Sequence, residues 1–194
     1  MRHAGIDFEE QVVRLDFPSD NSHLLEFSPS RRVPVLIHGD LHIWDSMAIL
    51  EYIAEIFPHA GLWPQDQAQR THARSIAMEM HAGFSALRSA LPMNMHREPT
   101  PLAHDEAVAA DIARIEALWR DCRERSGGAG AFLFGPFTIA DAMYAPVVSR
   151  FYSYQVPASK ICRQYMDAMR ALPAWNEWES AALREDWVIE DSEI

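Results

Sequence analysis

The chain has 194 residues, 48% of them hydrophobic, so it is long enough to bury a core and to form one or two domains. Its formal net charge of −11 makes nucleic acid and anionic membranes unfavourable partners. No apolar run reaches the roughly 18 residues of a membrane span, and the opening residues MRHAGIDFEE lack the apolar segment of a secretory signal.

The cysteine content indicates a reducing compartment. The chain contains only Cys122 and Cys162, far apart in the sequence and with no export signal before them. Such cysteines are typical of buried, reduced thiols in the cytosol. We therefore expect a cytoplasmic protein without a structural disulfide.

The N-terminal part predicts a small α/β domain. Residues 1–6 resemble the end of a helix closed by Ala4-Gly5, and residues 11–17 (QVVRLDF) have the composition of a strand. Residues 33–38 and 41–44 are two further β runs, separated by the turn signal Gly39-Asp40 of a two-residue hairpin. Apolar residues then recur at helical spacing as far as Ile56, and the following proline ends the predicted helix.

A linker is predicted next, because residues 58–69 (PHAGLWPQDQAQ) contain two prolines and a glycine. We expect a domain at residues 1–60, a linker at 61–69 and a second domain at 70–194.

The second domain is predicted to be all helical. One apolar stripe runs through Ile76, Met80, Phe84, Leu87 and Leu91 and predicts a single helix that ends before a proline. Four more helices are predicted at residues 108–122, 138–152, 161–172 and 173–186, the last with a proline at its favoured first position.

Two motifs carry a resemblance to a known family. VPVL at residues 33–36, followed by the hairpin and by DSMAILEYIAEIFP at 45–58, resembles the cytosolic glutathione S-transferases. FTIADAMYAPVVSRF at 137–151 is similar to the helix that forms the hydrophobic core of the same family. The resemblance implies an α/β thioredoxin-like N-terminal domain, here incomplete, and an all-α C-terminal domain.

The resemblance also implies a glutathione site. The bond between Val33 and Pro34 is expected to be cis, which costs little before proline, and the Val33 backbone would pair with the ligand like an added strand. Ser46, at a helix N-terminus, would hold the γ-glutamyl carboxylate, and Asp45 would contact the ammonium group. Arg32 would face the glycyl carboxylate, with Arg31 as a competitor for that role.

Each of these residues also has a purely structural interpretation. Taken alone, Ser46 is better explained as a helix cap, and Arg31 and Arg32 are equally well explained as ordinary surface charges. Thr138 and Asp141 are assigned to structure, as a capping box that stabilises the helix by about 1 kcal/mol.

The resemblance places Met80, Phe84 and Arg88 on the helix that lines the acceptor-substrate pocket, with Tyr144 and Tyr154 as weaker candidates. A stripe of methionine and phenylalanine at helical spacing is, however, more often part of a core than of a binding site. No metal site is predicted, because the nine histidines, including His38 and His42 beside the hairpin turn, lack the spacing of a ligand set.

The sequence departs from the family at its beginning. The first strand and most of the first helix have no counterpart, and the catalytic serine, cysteine or tyrosine would lie upstream of Met1. Three explanations are open: a shortened chain of a complete transferase, which we favour; a natural remnant that binds without catalysis; or a rearranged pairing of the remaining strands.

Three functions follow from the resemblance. The first is conjugation of glutathione to a small electrophile through an activated thiolate. The second is a glutathione-dependent isomerase of the maleylacetoacetate type. The tract LPMN at 91–94 loosely resembles a tract that those enzymes have near the same place. The third is a non-catalytic module that binds glutathione or a protein. The family further implies a homodimer.

Overall fold

A computed structural model describes residues 1–15 and 21–194, which divide into two compact units, Met1–Gly61 and Leu62–Ile194. The first unit has a two-stranded sheet and one helix, whereas the second is helical. The elements are β1 Val35–His38, β2 Leu41–Trp44, α1 Ser46–Ile56, α2 Gln67–Ala82, α3 Ser85–Ala90, α4 Glu106–Arg125, α5 Ile139–Ser153, α6 Lys160–Arg170 and α7 Pro173–Ala182. Short 3₁₀ helices occupy Arg2–Ala4, Ser22–Glu26, Pro58–Ala60 and Glu190–Ser192.

The hairpin forms as predicted. β1 and β2 pair antiparallel with Val35 opposite Trp44 and His38 opposite Leu41, so Gly39 and Asp40 make the two-residue turn. Gly39 has φ 58°, the left-handed region that this turn demands. Helix α1 packs on the hairpin, and its inward side chains Met47, Ile49 and Ile53 are buried with Leu24.

The prediction of a strand at residues 11–17 is wrong where the structure can be compared with it. Residues 11–15 are not in a strand, and residues 16 and 17 lie outside the described residues. A strand persists only when a neighbour accepts and donates its backbone hydrogen bonds. In the described part of the chain the sheet consists of β1 and β2 alone. The strand predicted from residue 33 also starts later, at Val35.

The long helix predicted through Leu91 is broken in two. α2 ends at Ala82, Phe84 has φ 56°, and α3 begins at Ser85. The apolar stripe nevertheless survives the break, because Ile76, Met80, Phe84, Leu87 and Leu91 are all buried. Periodicity therefore predicted correctly which residues are buried, although it missed the interruption. The last two helices also end early, at Arg170 and Ala182, short of the predicted 172 and 186.

The core of the second unit is built around Trp119 of α4, which is fully buried. Its ring contacts the rings of Tyr144, Phe151 and Tyr165 at centroid distances of 5.8, 5.2 and 4.9 Å. These aromatic contacts join α4 to α5 and α6. The Tyr144 hydroxyl donates to the Ile76 carbonyl at 3.2 Å and ties α5 to α2.

The start of α5 confirms the predicted capping box. The Asp141 carboxylate is fully buried and accepts hydrogen bonds from the Thr138 amide at 2.7 Å and the Thr138 hydroxyl at 2.9 Å. It also accepts from the Leu133 amide at 3.0 Å, which holds the preceding loop. Thr138 and Asp141 thus fix a helix start inside the protein, as their structural assignment expected.

Candidate functional site

The antiparallel register brings the two halves of the N-terminal motif together. Val35 pairs with Trp44 at the open end of the hairpin, opposite the turn. Residues 33–34 immediately precede this pair and residues 45–46 immediately follow it. Paired residues in antiparallel strands have Cα atoms about 4.5–5.5 Å apart. Val33-Pro34 and Asp45-Ser46 are therefore neighbours, although eleven positions separate Pro34 from Asp45 in the sequence.

The Val33–Pro34 peptide bond is cis, as predicted. Val33 lies outside the sheet and 48% of its surface is exposed. Neither its amide nor its carbonyl makes a hydrogen bond with a residue of the described ranges. One unpaired backbone edge is thus presented to solvent beside the start of α1.

Asp45, not Ser46, caps helix α1. The Asp45 carboxylate accepts from the Met47 amide at 2.9 Å, and Asp45 has a positive φ of 72°. Ser46 is the first helical residue and is half-buried. Its hydroxyl and amide make no hydrogen bond with the described part of the chain. The cap interpretation of Ser46 therefore does not apply, and both of its donors are available at a helix N-terminus.

The two arginines before the motif differ in their backbone. Arg31 has φ 54°, and its amide donates to the Ser28 carbonyl at 3.0 Å in a tight turn. Arg32 is exposed, and its guanidinium meets no acceptor among the residues that the structure describes. An exposed arginine at the rim of the motif can pair with a carboxylate that arrives from solvent.

The predicted acceptor-pocket residues lie in the second unit. Met80 and Phe84 are only 6% and 7% exposed, which matches the core interpretation of their spacing. Arg88 on α3 is exposed and donates to the His81 carbonyl at 3.3 Å. Tyr144 is fully buried, and the Tyr154 hydroxyl donates to the Pro92 carbonyl at 2.9 Å. The pocket role of all five stays a prediction.

The two cysteines are unsuited to thiolate chemistry. Both are buried free thiols. Burial raises the pKa of Cys122 to about 12, with the nearby Asp121 carboxylate adding to the effect. Burial likewise raises the pKa of Cys162. Both thiols therefore stay protonated at neutral pH, when a nucleophile would need to be a thiolate.

Metal-ligand clusters and membrane-spanning helices are both absent from the described residues. Within residues 1–15 and 21–194, His, Cys, Asp and Glu side chains nowhere gather in a group of three that could hold a metal ion. The helices in the same ranges are too short or too polar to cross a bilayer.

Comparison with known proteins identifies the family. Residues 1–55 match the profile of the glutathione S-transferase N-terminal domain, and residues 104–180 match that of the glutathione S-transferase C-terminal domain. The chain therefore belongs to the glutathione S-transferase family, and the predicted fold class is confirmed.

Individual relatives agree with this assignment. The chain is 35% identical over 148 residues to glutathione S-transferase 1 of Dianthus caryophyllus, covering 74% of this chain and 66% of that one. It is 33% identical over 85 residues to "Probable maleylacetoacetate isomerase" of Caenorhabditis elegans, covering 44% of this chain and 40% of the relative. The chain thus spans two thirds or less of both curated relatives.

Solved structures share the fold. A glutathione transferase homologue from Burkholderia, solved with bound glutathione, superposes with a TM-score of 0.70 at 24% identity. The match covers 95% of this chain and 88% of the homologue.

Proposed function

We propose that this chain binds glutathione at residues 32–46 and takes part in its conjugation to a small electrophile. The observation that carries the proposal is the unpaired Val33 backbone beside the unpaired Ser46 donors at the open end of the hairpin. A peptide ligand has the complementary groups: an amide and a carbonyl for Val33, and a carboxylate for Ser46.

Each end of glutathione has a proposed partner. The cysteinyl backbone pairs with Val33 next to Pro34, and the γ-glutamyl carboxylate accepts from the Ser46 amide and hydroxyl. Asp45 attracts the ammonium group while it continues to cap α1. Arg32 pairs with the glycyl carboxylate at the exposed rim.

The chemistry proposed is nucleophilic substitution by the glutathione thiolate. The thiol gives its proton to solvent water, the sulfur forms a bond to an electrophilic carbon, and the leaving group departs with its electron pair. Residues 32–46 supply binding and orientation, and stabilisation of the thiolate is not assigned to them. A hydrogen bond to that sulfur, at about 1.5–3 kcal/mol, would account for a pKa decrease of one to two units.

Calorimetry and kinetics test the two parts of this proposal separately. Titration of the chain with reduced glutathione should show saturable binding, and a chloronitrobenzene should then be conjugated with release of chloride. Binding without turnover would support the ligand site and favour a non-catalytic module. Absence of both would contradict the proposal.

A second candidate is a glutathione-dependent isomerase. The similarity to the Caenorhabditis elegans relative favours it, because that protein is named a probable maleylacetoacetate isomerase. An isomerase would convert maleylacetone to its trans isomer without net consumption of glutathione. A transferase would consume glutathione stoichiometrically, so measuring both quantities separates the two activities.

The assembly and cellular location are proposed from family membership. We propose a cytoplasmic homodimer that needs no metal. Light scattering on the purified protein at several concentrations tests the dimer: a mass near 22.1 kDa at all of them would contradict it.

A further inference from the structure

A cleft in the second unit is lined by buried hydrogen-bond donors that lack acceptors. It has a volume of about 330 Å³ and lies among residues 95–99, the last turns of α5, the end of α6 and the face of α7. This volume falls at the lower end of the range for small-molecule sites. The lining includes neither the residues of the hairpin motif nor Met80, Phe84 and Arg88.

Arg170 is the first of these donors. Its guanidinium carbon lies 3.3 Å from the centroid of the Tyr152 ring, so stacking holds the planar group in one orientation. Its Nε is buried, and within the described residues neither Nε nor the terminal nitrogens donate to an acceptor. An oriented guanidinium with unused donors matches the geometry of a carboxylate.

Trp175 is the second donor. The side chain is 5% exposed, and its ring meets the Trp178 ring edge-on at 5.2 Å, which fixes its orientation. Its indole Nε1 is buried and has no acceptor among the described residues. An indole nitrogen can only donate, so leaving it buried and unpaired is unfavourable.

The neighbouring Arg97 is already engaged in part. One of its terminal nitrogens donates to the main-chain oxygen of Ile194, and the guanidinium stacks on Tyr154 at 4.6 Å. Its Nε, like that of Arg170, is buried without an acceptor in the described ranges. Arg97 therefore adds positive charge to the cleft, while the guanidinium nitrogens of Arg170 remain free to donate.

The acidic lining residues do not compensate these donors. Glu98 and Glu179 line the same cleft but form no ion pair within the described part of the chain. Their oxygens are not among the buried unpaired atoms, so water can hydrate them. The buried donors of the cleft consequently lack a hydrogen-bond acceptor, whereas its carboxylates do not require a cation.

We propose that this cleft is a second ligand site that binds a small carboxylate with an apolar body. The carboxylate accepts from Arg170 and from the Trp175 indole, and the apolar body lies against Tyr152 and the side chains of Met95 and Leu183. The site is independent of the proposed glutathione site, since the two share no residue.

Benzoate is a suitable probe, and the indole N–H signals of the ¹⁵N-labelled chain are a direct readout. The chain has six tryptophans, and Trp175→Phe identifies the signal of Trp175. Benzoate should shift that signal saturably, whereas benzamide and benzylamine, which keep the ring but lack the carboxylate, should not. No saturable shift, or an equal shift with benzamide, would overturn the proposal.

Variants make the test specific. Arg170→Gln should weaken benzoate binding by about 10–100-fold, the range expected for loss of a charged hydrogen-bond pair. Arg120→Gln, which removes an exposed arginine outside the cleft, should leave it unchanged. If Arg170→Gln does not fold, calorimetry on Trp175→Phe decides, because this variant loses the N–H donor and keeps an aromatic, although smaller, ring. Unchanged affinity in the folded variant would contradict the proposed site.

Discussion

Asp45 and Ser46 are adjacent in the sequence, but only Asp45 is committed to the helix. Its carboxylate accepts the hydrogen bond from the Met47 amide. The Ser46 hydroxyl makes no hydrogen bond with the described part of the chain. Capping of α1 is thus assigned to Asp45, and the ligand contact proposed for Ser46 does not compete with it. Sequence alone left this choice open, because serine and aspartate are both good caps.

Ser46→Ala should weaken glutathione binding by about tenfold with little change in the free energy of unfolding. The reason is that Ser46 makes no internal hydrogen bond, while one bond to a carboxylate contributes about 1.5 kcal/mol or more. Calorimetric titration with glutathione measures the first quantity and urea denaturation the second. Ser85→Ala, at the first position of α3, is the matched control and should change neither. A large loss of stability in Ser46→Ala would show that the hydroxyl is structural.

At the scale of elements, the break between α2 and α3 depends on a close backbone approach. A Cβ atom at Gly83 would lie 2.6 Å from the Glu79 carbonyl oxygen, so any larger residue must displace the backbone. Gly83→Ala should destabilise the protein by about 1–3 kcal/mol, the usual range for a forced backbone shift. Gly128→Ala is the control: it has φ 74° and open space around it, so only the conformational cost of about 1 kcal/mol applies. Urea denaturation measures both, and a loss well below about 1 kcal/mol in Gly83→Ala would contradict the steric explanation.

The capping box of α5 predicts a pH dependence. Burial raises the pKa of Asp141 to about 6, although hydrogen bonds from Leu133 and Thr138 oppose the increase. Because this folded-state pKa exceeds the ordinary value of 3.8, the folded protein binds the proton more tightly. The resulting stabilisation is fully present below about pH 4 and is lost as the pH rises through 6.

Thr138→Val removes one hydrogen bond to the ionised carboxylate and should raise the pKa of Asp141 further. The variant should therefore lose about 1–3 kcal/mol at pH 7 and less at pH 5, where the folded carboxyl group is mostly protonated. Urea denaturation at both pH values measures the difference. Thr71→Val, whose hydroxyl only donates to the Gln67 carbonyl on an exposed helix, should lose little at either pH. An equal loss at both pH values for Thr138→Val would exclude the titration of Asp141 as the cause.

The elements also show what the sequence could predict. The hairpin and the start of α5 were predictable, because Gly39-Asp40 and Thr138 with Asp141 act through local backbone geometry. The strand at residues 11–17 was not, because a strand depends on a partner that local composition does not reveal. The break at Phe84 was missed because the apolar period continues across it. The cleft at Arg170 left no sequence signal, since its donors come from separate elements.

At the scale of the whole molecule, the two units differ in how much core they possess. The second unit buries the aromatic cluster around Trp119 and several helices pack on it. The first has one helix on a two-stranded sheet. Such a sheet is marginal on its own, and a segment of about sixty residues buries little surface.

We therefore expect residues 62–194, expressed alone, to fold and to unfold cooperatively, whereas residues 1–61 alone should not. Circular dichroism during heating measures both, with helical signal and a single sharp transition expected only for the larger fragment. A gradual loss of signal in residues 62–194 would contradict a self-sufficient helical unit.

The central claim is that the open end of the hairpin is a glutathione site, and amide chemical shifts test it most directly. Reduced glutathione, titrated to about 10 mM into the ¹⁵N-labelled chain, should shift the amides of Val33 and Ser46 along one saturation curve with a Kd near or below 1 mM. In Ser46→Ala, the shift of the Val33 amide should need about tenfold more glutathione to saturate. Saturable shifts confined to other residues, or no shift at Val33 and Ser46 over the whole titration, would contradict the account.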